Sequence, residues 1–193
     1  MIEEPPLPPA PGAADSLALD FVNTAIALPG NQYADLLGSP AAVNHWLTSW
    51  GLAAAGAGVE EMCAAQLRAL REHLRSLFAA RVDGLAALPS ALSAVNDALT
   101  RVPTASLLRW DARSGPYREA SCPPTEILDR ALATIAGSAA DLLTSPEGDA
   151  LALCASPPCN RYLLRHGRRH WCSTRCGDRA RAARAYARRT QSA

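Results

Sequence analysis

The chain is 193 residues long, 49% hydrophobic and 19% charged, with a formal net charge of +1. That balance fits a chain that buries a core, either as one domain with an appendage or as two small domains. Its apolar stretches are alanine-rich and broken by charges or prolines, which excludes a membrane-spanning helix.

Residues 1–15, opening MIEEPPLPPAPG, are acidic and proline-rich and read as a flexible leader. They have neither the basic n-region nor the apolar h-region of an export signal, so a reducing cytoplasm is the expected compartment. The run SLALDFVNTAIAL (16–28) is apolar with Asp20 and Asn23 embedded in it, and its period is ambiguous between a short helix and a buried strand. Residues 39–52 predict a helix with Ser39 as N-cap, Pro40 at the first position and Gly51 as the stop. From Val59 to about Val82, Met62, Leu67, Leu70, Leu74, Leu77 and Phe78 recur at three- and four-residue steps, the longest helical pattern. Pro89 and Ser90 open another helix, to about Thr100.

The period then changes. ASLLRW (105–110) and PYREASC (116–122), separated by DARSG, predict a β-hairpin. A helix follows from Thr125 to about Leu143, and TSPEGD (144–149) reads as a turn or linker. The expected fold class is α+β: a mainly helical N-terminal domain (16–145) with a small antiparallel β-hairpin, then a small treble-clef-like module of hairpin plus C-terminal helix (150–193).

The charge is sharply divided. The chain has no lysine, and ten of its 19 arginines lie in 154–193, where Asp178 is the only acid, giving +9. Residues 1–153 hold nine arginines and 17 acids, giving −8. So basic a segment points to a polyanion, most simply nucleic acid, unless it is merely a disordered tail.

The cysteines argue for a fold. Cys154-x4-Cys159 is followed, after twelve residues, by Cys172-x3-Cys176. Each pair can present two thiolates from one tight turn, and two turns complete the tetrahedral sulfur site of structural zinc. Disulfides or free thiols are the alternative. RYLLRHGRRHW reads as two short strands about Gly167, and GDRARAARAYARR as a helix with Gly177 and Asp178 at its start. Some forty residues hold too little core to fold alone, so zinc would supply much of their folding free energy. His166 and His170 could replace a cysteine as ligand. Cys63 reads as a small buried hydrophobe, and Cys122 has no assigned role.

On a helical projection, Ala180, Ala183, Tyr186 and Ala187 share one arc, expected to pack on the zinc hairpin. Arg181, Arg184, Arg188 and Arg189 share another, expected to face outward, with Arg165, Arg168, Arg169 and Arg175 adding charge from the hairpin and ligand turn. These eight are the candidate nucleic-acid contacts, since guanidinium forks suit phosphates and the guanine edge. Arg179 falls on the packing side and is expected to brace the module.

CASPPCNRYLL with RRHWCSTRCGDRARAARAYARR resembles the CGNR zinc finger, and LALDFVNT (17–24) resembles the opening of the ABATE domain that precedes it. The resemblance implies a bacterial stress-responsive transcription regulator, with an N-terminal sensing domain and a C-terminal DNA-binding finger. It implies zinc ligands at Cys154, Cys159, Cys172 and Cys176, and matches Gly177 and Arg179 to the family's Gly and Arg. Asp178 stands where the family has Asn; it suits a helix cap but disfavours a phosphate there.

In the N-terminal domain, Asp20 and Asn23 could line a ligand pocket or could instead cap and satisfy buried backbone. Trp46, Trp50 and Trp110 could stack on a ligand, but large aromatics are core residues first. No Ser-His-Asp set or phosphate loop appears, so no enzyme is expected. The expected partners are DNA, an unidentified small molecule and a second copy as homodimer, with no membrane. The alternative is a zinc-stabilised protein- or RNA-interaction module without ligand sensing. The opposite charges also allow the acidic part to dock on the finger and mask it.

Overall fold

The run 16–28 resolves into both of its alternatives. In a computed structural model that describes residues 8–54, 56–102, 106–120 and 127–191, helix α1 spans Leu17–Val22 and strand β1 spans Ala25–Leu28. The Ser16 hydroxyl caps α1, accepting the Leu19 N–H at 3.3 Å. Strand β2 (Gln32–Asp35) pairs antiparallel with β1, Ala25 opposite Asp35 and Leu28 opposite Gln32. The sequence expectation has no strand at 32–35. Its signal is Pro29-Gly30-Asn31, where Gly30 (φ 76°) and Asn31 (φ 57°) both take the left-handed backbone these residue types tolerate.

Helix α2 (Pro40–Ser49) starts at Ser39, whose hydroxyl accepts the Ala42 N–H at 3.2 Å. Helix α3 (Glu61–Asp83) ends in Gly84 in the left-handed conformation, and α4 spans Pro89–Thr100. Strands β3 (Ser106–Asp111) and β4 (Gly115–Ala120) form the expected hairpin, closed by Asp111 Oδ1, which accepts the Arg113 and Ser114 N–H groups at 2.9 and 2.8 Å. Leu108 and Trp110 are 73% and 76% exposed, so this hairpin stands off the core and takes Trp110 away from the other tryptophans. Helix α5 runs Ile127–Thr144. The expected starts and ends of these elements at 105, 121–122 and 125–126, Cys122 included, lie outside the described residues.

Helix α1 sits at the centre. Leu19, Phe21 and Val22 are buried in one core with Leu67, Leu74 and Phe78 of α3 and Leu132 and Ile135 of α5. Buried Ala131, Ala136 and Ala139 let α5 come close, and its Ser138 hydroxyl accepts the Ala18 N–H at 3.1 Å, satisfying a helix-terminal donor.

The cysteine module is a continuation of this core. TSPEGD is a packed 3-10 turn over Pro146–Ala150, with Gly148 buried. Strand β5 (Leu151–Leu153) pairs with β6 (Tyr162–Leu164), Leu151 opposite Leu164 and Leu153 opposite Tyr162. The expected pairing about Gly167 is therefore corrected. Buried Tyr162, Leu163 and Leu164 need an apolar partner strand, and 151–153 supplies it, whereas 165–170 is exposed and polar. Helix α6 spans Thr174–Gln191, starting before Cys176 rather than after it.

The leader is also corrected from Pro8 onward. Ala10 and Ala13 are buried, the Leu164 N–H donates to the Pro11 carbonyl at 2.9 Å, and Gly12 (φ 84°) lies so near Leu164 that a Cβ would meet it at 2.8 Å.

Candidate metal centre

The two cysteine pairs come together at the ends of these elements. Cys154 and Cys159 bound the turn between β5 and β6, Cys172 precedes α6 and Cys176 lies in its first turn. All four are buried, and their sulfurs lie within 4.8 Å of one another. Cys159 to Cys172 and Cys172 to Cys176 are each 3.6 Å, Sγ to Sγ. A tetrahedron with Zn–S bonds of about 2.3 Å has edges of about 3.8 Å, so the donor set fits zinc in type and spacing. His166 and His170 are both exposed, outside the sulfur cluster.

Without a cation these thiols compete for protons. Hydrogen bonding to Cys154 and then to Cys172, followed by burial, pushes the Cys159 thiol far up. Hydrogen bonding to Cys154, with burial, raises Cys172 to about 11. Cys154, on which hydrogen bonds from Cys159 and Cys172 converge, is pulled down. Cys154, Cys159, Cys172 and Cys176 would hold a zinc ion as thiolates, which would tie the first cysteine turn to α6 and, with all four sulfurs engaged, would leave no open coordination position.

A tetrathiolate zinc centre carries a charge of about −2, and two arginines face it. Arg161, itself buried, reaches Cys172 Sγ at 3.9 Å and the Pro8 carbonyl at 2.9 Å. Arg179 donates to Cys176 Sγ at 3.4 Å and to the Ser156 carbonyl at 2.9 Å, tying α6 to the first cysteine turn. These outer donors orient the ligands and offset their charge. Arg161 carried no signal in the sequence beyond belonging to a run of arginines.

Ser173, not Asp178, caps α6: its hydroxyl accepts the Cys176 N–H at 3.3 Å. Asp178 lies within the helix and pairs with Arg181. At Gly177 a Cβ would sit 3.3 Å from the Trp171 ring, so the missing side chain leaves room for the indole. Arg181 and Arg184 lie over that indole, 5.8 and 5.5 Å from its centroid. Trp171 thus organises the arginine face, a role the sequence did not assign it.

The expected packing of the Ala-Tyr arc is overturned. Ala180 is half-buried, but Ala183 and Ala187 are exposed and Tyr186 is 71% exposed. Apart from half-buried Ala185, every residue from Arg181 to Thr190 is exposed. Arg165, Arg168, Arg169, Arg175, Arg181, Arg184, Arg188 and Arg189 are all exposed.

Asp20 and Asn23 prove to be junction residues. The Asn23 side chain spans Tyr162, donating to its carbonyl at 2.9 Å and accepting its N–H at 2.7 Å. Asn160 returns the contact, accepting the Ala27 N–H at 2.8 Å. Asp20 Oδ2 accepts both indole N–H groups, Trp46 at 2.8 Å and Trp50 at 2.9 Å. From α3, Arg75 donates to the Val22 carbonyl at 2.6 Å and the Asn160 carbonyl at 3.0 Å, bridging α1 to the cysteine turn. Asp20 and Asn23 also line a cavity of about 550 Å³ that lies between the β1–β2 side of the molecule and the first turns of α6, with Cys159, Cys172 and Cys176 in its far wall.

Comparison with known families agrees with this geometry. Residues 15–146 match the ABATE family, described as "putative stress-induced transcription regulator", and residues 151–189 match the CGNR zinc finger. No curated protein matches the chain. The ABATE match spans well over half of the sequence, and the four clustered cysteines and the helix that follows them fall where a zinc finger requires. The chain belongs to the ABATE family and carries a CGNR zinc finger with a structural zinc site.

Proposed function

We propose that this protein is a bacterial transcription regulator, acting in the cytoplasm in response to stress, whose zinc finger binds duplex DNA and whose N-terminal layer senses a small molecule or pairs with a second copy. The observation that carries the DNA reading is the free end of α6. Residues 181–190 stand almost wholly in solvent and present Arg181, Arg184, Arg188 and Arg189 with no acid among them. A helix of that kind, about 15 Å long, fits the major groove, and guanidinium forks suit its phosphates and guanine edges. The Trp171 indole holds Arg181 and Arg184 side by side, which reduces the entropy lost on contact.

The test is binding of the zinc-loaded chain to duplex DNA across a salt series. Affinity is expected to fall steeply with salt, and Arg184→Ala/Arg188→Ala to weaken it about tenfold or more and reduce the salt slope by about two. Binding indifferent to both salt and substitution would overturn the reading. Exposed Tyr186 beside this face also offers a stacking surface for unpaired bases. A clear preference for single-stranded RNA over duplex would put the protein in that class instead.

A further inference from the structure

The cavity between the β1–β2 hairpin and the sulfur cluster has a chemistry of its own. At about 550 Å³ it falls within the range of small-molecule sites. Its near wall is apolar, with Ile26, Leu28, Leu36 and Trp46. Trp46 is fixed by Asp20 and by the Phe21 ring 5.1 Å away. Its far wall is the zinc finger, where Arg161, Arg175 and Arg179 all line the space.

These three cations are not equivalent. Arg161 and Arg179 bond to ligand sulfurs, and their two charges match those of the tetrathiolate centre. Arg175 shares the cavity-facing side of α6 with Arg179, four residues on, but among the described residues it has no hydrogen-bond or ion-pair partner. One positive charge is therefore left over in the far wall. Asp20 places a negative charge in the opposite wall, already bonded to two indoles through Oδ2.

We propose that this cavity binds a small monocarboxylic acid with a ring-sized apolar body. The carboxylate pairs with Arg175, the body packs between Leu36 and Trp46, and Asp20 repels a second negative charge and accepts a hydroxyl at the far end. The site is completed only by the folded junction, so its ligand touches both the N-terminal layer and the finger. It gives the sensing half of the proposed function a place and a ligand class, and it stands whether or not α6 binds DNA.

The experiment titrates the zinc-loaded full-length chain with benzoate, 4-hydroxybenzoate, benzamide and benzylamine, read by calorimetry and tryptophan emission. The two acids are expected to saturate one site, with the amide about tenfold weaker, as loss of a charge-assisted contact implies, and the amine weaker still. Arg175→Gln is expected to erase the difference between acid and amide while zinc content and circular dichroism stay unchanged. Ala34→Phe, which fills the cavity from β2, is expected to abolish binding of all four. Failure of both acids to bind, equal binding of acid and amide by the unaltered chain, or acid binding that survives both substitutions would overturn the proposal. Loss of DNA binding in the Arg184→Ala/Arg188→Ala chain with acid binding intact would concern α6 alone.

Discussion

Asn23 and Arg71 show how single polar residues decide this fold. A buried amide at the end of an apolar helix is costly unless both its ends are bonded, and Asn23 meets that condition by pairing with the Tyr162 backbone 139 positions away. Arg71, also buried, is held by Asp35 through two bonds of 2.6 and 2.9 Å, and donates to Thr24 and Glu72. The Arg71 hydrogen bonds hold the Asp35 carboxyl below its ordinary range despite partial burial. Its stabilising contribution is therefore complete above about pH 4 and is lost as pH falls through its lowered folded-state value. Asp35→Asn should cost about 2–3 kcal/mol at pH 7, because it leaves the Arg71 charge buried and underpaired. Urea unfolding at pH 7 and pH 3 measures this: the gap between parent and variant is large at pH 7 and narrows at pH 3.

At the scale of elements, the packed turn over 146–150 is what a linker reading misses. Gly148 is where α5 turns into β5, and a Cβ there would stand 2.6 Å from the Leu142 carbonyl oxygen and 3.3 Å from that of Leu143. Backbone on that side cannot yield as a flexible side chain would. Gly148→Ala should therefore destabilise the protein by about 1–3 kcal/mol, the range for overpacking, lowering the thermal midpoint by several degrees. An unchanged midpoint would show that the turn adapts. Helix α6 is the opposite case. Its first turns are fixed by Ser173, Cys176 and Arg179, while its second half is mostly exposed and presents its arginines to solvent.

The whole molecule is built as one core, with zinc at its edge. Cys154, Cys159, Cys172 and Cys176 belong to the same buried cluster as Phe21, Phe78 and Ile135, and Asn23, Asn160, Arg75 and Arg161 fasten the junction. Removing zinc should therefore loosen more than the finger. Chelation is expected to lower the melting temperature of the entire chain and to change the near-ultraviolet dichroism of Trp46 and Trp50, since the junction beside Asp20 loses its wall. Melting of a separate C-terminal transition, with the tryptophan signal unaltered, would show that the finger is an independent unit.

Most elements were legible from residue order alone, because caps, prolines and apolar period act locally. Ser39-Pro40, Pro89-Ser90 and the α3 repeat fix helices wherever they sit, and the cysteine spacing with its arginine-rich helix points to a zinc finger before any fold is known. What residue order could not fix was pairing across distance. Strand β6 chose 151–153 over its neighbours past Gly167, the segment from Pro8 packed because Leu164 and Arg161 offered it partners, and the Ala-Tyr face of α6 beyond Ala180 stayed exposed. Sequence determines which groups must be buried or bonded; only the tertiary structure decides which distant groups satisfy them, and so it alone creates the cavity shared by Asp20 and Arg175.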